Sequence, residues 1–564
     1  MTFFVERRTC FSNLSSRWCA LALALTTLLC SPAPSLAEDP KPAREDDYPL
    51  SLELQVLARD LTSEEYRKVL PTMIPTDLAA EWERIGTPDN HLLFLEKHGG
   101  KEKVLADPRL KSAYEQRLKI ADEFLALIRE AYRKRDQKPP FDDPAKVEPI
   151  LRKAGANAGG GKNATATPVR VVMPAPGAEK QWPRFRGPTG QGNAVDAVFP
   201  LHWSSTENVI WSSEIPGRGH GSPSIWDDRI FITTASKEGD ERSIVCYSRT
   251  DGRRLWKYDA PKPKEQEKLY AKNSCASGTA VTDGENVVAF FGNSGLVCVD
   301  VNGKEKWAKD LGIFGTTHGP GTSPVLYQNK VILIQYQNKG ETLFAAYDKS
   351  SGEELWKHAR ENAMCWSTPV VLRIGERDDL VYNSSHHVIG YDPETGEERW
   401  RASGSTREAI PTIVVGGGLI FSTSGRNGPT FAIRPGGTGD LTESSIAWQA
   451  VRGGPHVPSP LYLDGRLYMA NDTGIVTCLD AENGKTVWQK RIGGRCSMSP
   501  VEAGGKILIT NEDGKSYILQ AGDRFELLAE NDLGEPILAT PALLDGRIYF
   551  RTASRLVCIG EKSP

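Results

Sequence analysis

Cysteine is scarce in this 564-residue chain: there are 10, and Cys10, Cys19 and Cys30 fall within the first 37 residues. The remaining seven are odd in number and far apart, which excludes a small disulfide-stapled scaffold. A surplus of positive charge is also missing. Lys plus Arg is 69 against 72 for Asp plus Glu, a formal charge of -3, so no nucleic-acid partner is expected. After residue 37 no run is apolar for about 20 residues, so no transmembrane helix is expected in the mature chain. Adjacent cysteines, Cys-x-x-Cys-His, His-Glu-x-x-His, Gly-x-Ser-x-Gly and EF-hand loops are all absent. The sequence therefore assigns no catalytic residue and no metal ligand.

What the chain does contain begins with an address label. Arg7, Arg8 and Arg17 precede the apolar run Trp18 to Cys30, and small Ser35 and Ala37 stand where a signal peptidase reads. Residues 1–37 are expected to be a signal peptide and the protein to be exported, either periplasmic or secreted. Removing them leaves 66 basic against 71 acidic residues. Leu29 before Cys30 is bulkier than the small residue usual ahead of a lipidated cysteine.

Residues 38–154 read as a small all-α unit. Leu110, Tyr114, Leu118, Ala121, Leu125, Ile128 and Tyr132 recur every three or four residues, giving one long helix an apolar stripe between Pro108 and Pro139. Residues 155–180, opening on Gly155-Ala-Asn-Ala-Gly-Gly-Gly-Lys-Asn163, read as a flexible linker rather than a phosphate loop.

From 181 to 564 the helical period gives way to another. Trp211, Trp256, Trp307, Trp356, Trp400, Trp448 and Trp488 are separated by 45, 51, 49, 44, 48 and 40 residues, with an eighth slot near Phe525. Most follow an acid, a turn and a glycine, as in Asp392-Pro-Glu-Thr-Gly396 before Trp400. Ser or Thr before Pro recurs in phase at Pro223, Pro324, Pro369, Pro460, Pro500 and Pro541, with degenerate copies at Thr279-Ala280 and Ile410-Pro411. Each unit reads as four short antiparallel strands. The expected fold is mainly β, an eight-bladed β-propeller of four-stranded blades, preceded by the helical unit. The last unit has three strands and Asn208-Val-Ile-Trp211 is a strand without a blade, so the N-terminal strand is expected to close the ring. Cys246, Cys298, Cys478 and Cys558 share one slot on the third strand and read as small core residues.

The run Asp392-Pro-Glu-Thr-Gly396-Glu-Glu-Arg-Trp400 resembles the tryptophan-docking motif of the pyrroloquinoline-quinone-like (PQQ-like) repeat, found in quinoprotein dehydrogenases and in BamB-like propellers. Trp182-Pro-Arg-Phe-Arg-Gly-Pro188 is similar to the lead-in of secreted bacterial members. A BamB-like resemblance implies a non-enzymatic binding or scaffolding module, with protein partners in the cell envelope and an association with the outer membrane. A dehydrogenase-like resemblance implies the alternative, a quinone-dependent oxidoreductase using PQQ with calcium at the channel mouth. No cofactor is expected under the first reading.

The residues ahead of each innermost strand converge on one mouth of a propeller channel. They are His220, His318, Cys365, Trp366, Arg407, Glu408, His456, Arg495, Cys496 and Glu535. The three histidines sit at different offsets from their prolines, which disfavours a shared metal. Arg407 and Arg495 are the expected partners for a small or anionic ligand, and Trp366 the stacking surface.

Overall fold

The computed structural model describes residues 98–133 and 167–561, less 195–197, 317, 338–341, 361–363, 426 and 451, together with positions 58, 61, 94 and 95. Two compact units divide the chain, residues 1–156 and 157–564. The expected signal peptide and much of the 38–154 unit lie outside the described residues.

In the first unit, helix α1 (Lys101–Ala106) leads into α2 (Pro108–Arg133). Asp107 caps α2 by accepting the Arg109 amide at 2.8 Å, and Pro108 occupies the first helical position, where a missing N–H costs nothing. Ala113, Tyr114, Arg117, Ile120, Ala121 and Phe124 are buried along one face of α2. The Arg117 guanidinium lies 4.5 Å from the Phe94 ring centroid.

Among the described residues the second unit holds eight blade sheets built on antiparallel meanders and one two-stranded parallel ladder; the blade 4 sheet gains Val169–Val171 on its inner edge and Gly439–Asp440, parallel, on its outer one. Numbered along the chain, the blades span 224–259, 281–309, 325–360, 370–403, 414–450, 461–491, 501–532 and 542–559. The eighth has three strands of its own and takes Val209–Glu214 as its fourth, paired antiparallel to Arg555–Ile559 from Val209 opposite Ile559 to Glu214 opposite Arg555.

The register explains the tryptophan and cysteine slots together. On adjacent strands Trp256 faces Cys246, Trp307 faces Cys298, Trp488 faces Cys478 and Trp211 faces Cys558. Ala346, Gly390 and Ala432 face Trp356, Trp400 and Trp448. A small residue is needed because the partner indole lies over it. All seven described cysteines are unpaired and buried. In blade 7 the pair is exchanged: Ala529 occupies the tryptophan position and Ile518 the small one. The eighth slot, expected near Phe525, thus falls at Ala529. Phe525 instead packs edge-on against Trp488 of blade 6, with centroids 5.5 Å apart.

Each indole then crosses to the next blade. Trp211, Trp256, Trp307, Trp448 and Trp488 donate Nε1–H to the carbonyls of Arg249, Val301, Lys349, Ala481 and Gly522 at 2.9 to 3.0 Å. The ring face rests on the turn glycine of that neighbour: a Cβ on Gly303 would lie 2.6 Å from Trp256 Cδ2, and one on Gly352 2.7 Å from Trp307 Cδ2. Trp356 seats its ring on Gly396 of blade 4 but leaves its buried Nε1 without an acceptor, and Trp400 departs further. Its Nε1 donates to Asp379 in its own blade at 2.8 Å, because blade 5 replaces the glycine turn with Gly439–Asp440 and a short helix, Thr442–Ser445.

A second circuit runs closer to the axis. The amides of Ser222, Thr279 and Ser323 donate to the hydroxyls of Thr279, Ser323 and Thr368, each one blade on, at 2.9, 3.0 and 3.2 Å. Those of Thr412, Ser459 and Ser499 donate likewise to Ser459, Ser499 and Thr540 at 2.9, 2.9 and 3.0 Å. This is the physical basis of the Ser/Thr-Pro marker: the hydroxyl accepts from the preceding blade. It also corrects the blade 5 copy, which is Thr412-Ile413 rather than Ile410-Pro411.

The lead-in lies inside this ring. Val169–Val171 pairs with the first strand of blade 4, and Trp182 with Ile225 of blade 1. Pro183 O accepts from Thr282 of blade 2, Arg186 donates to Pro460 O of blade 6, Gln191 to Ile413 O of blade 5, and Gly192 O accepts from Glu502 of blade 7. A segment bonded to the first strands of so many blades occupies the hub, and those strands are the inner ones. Residues 167–180, expected as the end of a linker, are thus structured in part. Composition drew attention to the glycines before residue 162, whereas Val169-Arg-Val-Val172 finds an open inner edge to pair with. Beyond the hub Trp203 supplies an indole where blade 7 has only Ala529: its amide donates to Asn531 of blade 7 at 2.8 Å and its ring meets Phe550 of blade 8 at 5.8 Å.

Gly303 and Gly312 separate close approach from backbone strain, because both have φ of 87°, yet a Cβ at Gly312 meets nothing within 4 Å. Gly312→Ala is expected to cost about 1–2 kcal/mol from the left-handed backbone alone. Gly303→Ala is expected to cost about 1–3 kcal/mol more, from overpacking against Trp256. Urea unfolding of the two variants measures the difference; equal midpoints would remove the indole-on-glycine contact from the account.

Candidate functional site

In a four-stranded meander, the connection entering the inner strand and the hairpin between the second and third strands emerge at the same end. That end collects the residues expected at the mouth, and the structure joins several of them. Met364–Cys365 and Glu408–Ala409 pair as two short parallel strands, locking the entries to blades 4 and 5 together. The Trp366 amide donates to Ala409 O at 2.9 Å, and its indole donates to Gly319 O at 2.9 Å. Its ring meets His318 edge-on, with centroids 5.4 Å apart. Glu408 Oε2 lies 3.8 Å from His456 Nε2, and the His456 amide donates to Asp472 at 2.6 Å.

His220 is half-buried, with Nδ1 3.4 Å from the Ser277 hydroxyl. Ser277 donates to Asn273 Oδ1 at 2.5 Å, while Asn273 Nδ2 donates to His318 O at 2.6 Å and Pro320 O at 3.0 Å. His220 and the His318 backbone are thus linked through Asn273. Burial, then the Arg551 and Arg218 guanidiniums, push the His220 imidazole down to about 4. It is neutral at physiological pH.

Two expected mouth residues are not there. The Cys365 thiol is buried and donates to Asn383 O at 2.9 Å and Ala409 O at 3.1 Å; Cys496 is fully buried in the core shared by blades 6 and 7. Burial pushes both thiols up to about 12, the opposite of activation. Their neighbours in sequence, Trp366 and Arg495, take the outward direction because successive residues of an extended segment alternate sides. Arg407 and Arg495 are exposed, and among the described residues neither is in an ion pair. Glu535 accepts from Thr552 and Ser554 at 2.6 and 2.9 Å, within blade 8.

Several contributors were not expected. Tyr270, Lys272, Asn273 and Ser277 come from the long connection between blades 1 and 2, and Asp472 and Glu512 from second hairpins. Lys272 Nζ reaches Glu512 of blade 7 at 2.6 Å, and Ser497 donates to the same carboxylate at 2.6 Å. Against the upward push of burial, these two groups hold the Glu512 carboxyl below its ordinary value. The turns Asn471-Asp-Thr-Gly474 and Asn511-Glu-Asp-Gly514 were the available signal, since second hairpins share the mouth. Tyr270 stands 53% exposed, its ring 5.7 Å from His318, and Ile313 is exposed to the same degree. No group of three or more His, Cys, Asp or Glu among the described residues could hold a metal ion. No helix among them is long and apolar enough to cross a membrane.

The depressed His220 value has a defined sign. Between its ordinary value of 6.5 and about 4, the unfolded chain takes up a proton that the folded chain refuses, so stability falls as pH drops through that window and is unaffected above it. His220→Gln is expected to remove up to about 3 kcal/mol of the stability change between pH 7 and pH 4. Urea midpoints of both proteins at the two pH values measure it; identical pH dependence would place His220 outside the folded-state electrostatics.

A family model described as outer membrane protein assembly factor BamB matches residues 201–364, 240–490 and 384–525, together more than half of the chain. The outer membrane protein assembly factor BamB of Nitrosomonas eutropha is 24% identical over 174 residues, 29% of this chain and 38% of that protein. The match thus spans well under half the length of this curated relative. Among solved structures, BamB from Moraxella catarrhalis covers 63% of this chain and 98% of its own at 15% identity and a TM-score of 0.47. Quinohemoprotein alcohol dehydrogenase from Comamonas testosteroni covers 68% and 81% at 12% identity and a TM-score of 0.50, a likeness of fold alone. On the family match and the eight-bladed architecture, the chain belongs to the BamB-like family of PQQ-repeat propellers.

Proposed function

We propose that this protein is an exported, non-enzymatic binding module of the cell envelope, whose mouth loops form the docking face for protein partners of outer-membrane assembly. The observation that carries this reading is the occupied hub: residues 182–194 bond to the inner strands of several blades, which favours surface recognition at the open rim over chemistry within the channel. The rim offers the mixture usual at protein interfaces. Tyr270 is exposed beside the His318–Trp366 pair, Ile313 is exposed on the connection between blades 2 and 3, and unpaired Arg407 and Arg495 lie on the connections entering blades 5 and 7. The name of the relative, outer membrane protein assembly factor, supports the class of partner.

The quinone reading fits less well. Stacking a quinone between an indole and a vicinal disulfide, as the dehydrogenase resemblance implies, needs adjacent cysteines, and the seven here are separate and buried. Trp366 spends its N–H on Gly319 O and meets the His318 ring edge-on. The residues present do not suit the group, so no redox step is derived through it.

Photo-crosslinking residues at Tyr270, Arg407 and Arg495 test the proposal in cells, with Leu255 on the outer strand of blade 1 as the control position. Capture of outer-membrane assembly proteins at the rim positions, and not at Leu255, is the expected result. In parallel, the purified protein is titrated with PQQ and calcium and assayed for dye reduction with alcohols and sugars. Stoichiometric uptake with turnover would replace this reading by the oxidoreductase one.

A further inference from the structure

The lead-in places two arginines in the hub, and neither has a counter-charge. Arg184 donates Nε and Nη2 to Pro188 O, at 3.2 and 2.9 Å, leaving Nη1 without a protein acceptor. Arg186 is completely buried and donates Nη2 to Gln191 O and Pro460 O, at 2.7 and 2.5 Å, while its Nε and Nη1 are buried without any partner. Among the described residues neither guanidinium is within ion-pair distance of a carboxylate. Arg186 moreover holds a left-handed backbone, φ 62°, a strained conformation that persists only where the surroundings impose it. Burial alone pulls Arg184 down to about 10 and Arg186 to about 9, so both remain charged at neutral pH. Charges buried in this way call for a compensating partner.

A space for one exists. Arg184 lines a cavity of about 10 Å3 together with Ser323, Thr368 and Thr412, the hydroxyl-circuit residues of blades 3, 4 and 5. The circuit is interrupted at that place. The Thr368 amide carries no bond to Thr412, although the amides of Ser323 and Thr412 on either side are both bonded one blade on. Three of the residues that line the cavity therefore carry a donor with no partner or one free to donate: the Arg184 guanidinium, the Thr368 amide and the Thr412 hydroxyl. Its volume is on the scale of a single water or monatomic ion.

We propose that this cavity is a binding site for a monatomic halide, chloride in the cell, held by Arg184, the Thr368 amide and the Thr412 hydroxyl, with Arg186 adding positive potential two residues along the lead-in. The ion fixes the plug to blades 3 to 5, where the hydroxyl circuit is open. This inference is independent of the docking proposal, since it concerns the hub and not the rim.

Thermal unfolding of the full-length mature protein in chloride and in isethionate at equal ionic strength tests it, because isethionate is too large for the cavity. Chloride is expected to raise Tm by on the order of 2 °C per tenfold increase once the site begins to fill. Thr412→Val, which keeps the shape and removes a donor, is expected to weaken the chloride dependence, and Arg184→Gln to abolish it. Crystals of the unaltered protein soaked in bromide supply a readout that no folding defect can obscure: an anomalous peak within hydrogen-bonding distance of Arg184 Nη1 is expected. Equal Tm in the two salts, or a bromide-soaked crystal with no anomalous peak at that position, would overturn the proposal and leave a water in the cavity.

Discussion

The propeller depends on an indole of one blade seated on a glycine of the next. A twisted four-stranded sheet has two apolar faces and can bury both only against neighbours, so each interface must be filled without clash. Here the filling takes three positions at once: the tryptophan on the fourth strand, a small residue opposite it on the third, and a glycine at positive φ on the adjoining turn. Blade 7 shows that volume is the conserved quantity. Where Ala529 replaces the indole, Ile518 replaces the small partner, and Trp203 arrives from the lead-in to bridge blades 7 and 8. Trp400 shows the other solution: without a neighbouring glycine turn, its N–H is satisfied by the buried Asp379, which Arg399 also holds at 2.6 Å.

The inner strands raise a different problem, because they present an edge to the hub rather than a face to a neighbour. Two devices satisfy that edge. The hydroxyl circuit pairs amides that proline-containing entries would otherwise leave exposed to the axis, each bond contributing about 1 kcal/mol. The lead-in then adds backbone and side-chain bonds across the hub, from blade 4 through blades 1 and 2 to blades 5, 6 and 7. Because Val209–Glu214 also completes blade 8, the N-terminal portion of this unit ties both the hub and the rim of the ring. Such tying joins segments far apart in sequence, the kind of contact that slows folding.

Much of the blade count and strand number was legible because repetition multiplies a weak local signal. One Asp-x-x-x-Gly-x-x-x-Trp is a turn, whereas several at a period in the forties are a wheel. Positions where the repeat decays were harder to read. Phe525 was aromatic and near the right interval, but the register assigns the slot to Ala529, and only cross-strand pairing could show that. Ile410-Pro411 matched the proline of the marker while Thr412 carried its physics, the accepting hydroxyl of the circuit. The lead-in was legible as a motif but not as a plug, since no local periodicity reveals which distant carbonyls will meet Arg184 and Arg186. At the mouth, adjacent residues such as Cys365 and Trp366 could not be sorted until the alternation of an extended segment placed one inward and one outward.

The two ends of the channel consequently carry different burdens. On the lead-in side, polar groups are consumed by the fold: Trp182, Gln191 and Asn193 all bond to inner strands, and a change there acts on stability first. On the mouth side the ionisable groups fall into two kinds. Lys272 with Glu512 and Glu408 with His456 are paired between blades, so a ligand competing for them must first break an existing contact. Arg407 and Arg495 carry no such pair and sit on exposed loops, so recognising an acidic surface costs them only side-chain entropy and partial desolvation. Under the docking proposal, a partner at this rim would meet those two arginines together with the exposed Tyr270 and Ile313, all carried on connections between blades. That is the arrangement expected where recognition is grafted onto a scaffold whose own stability is secured elsewhere.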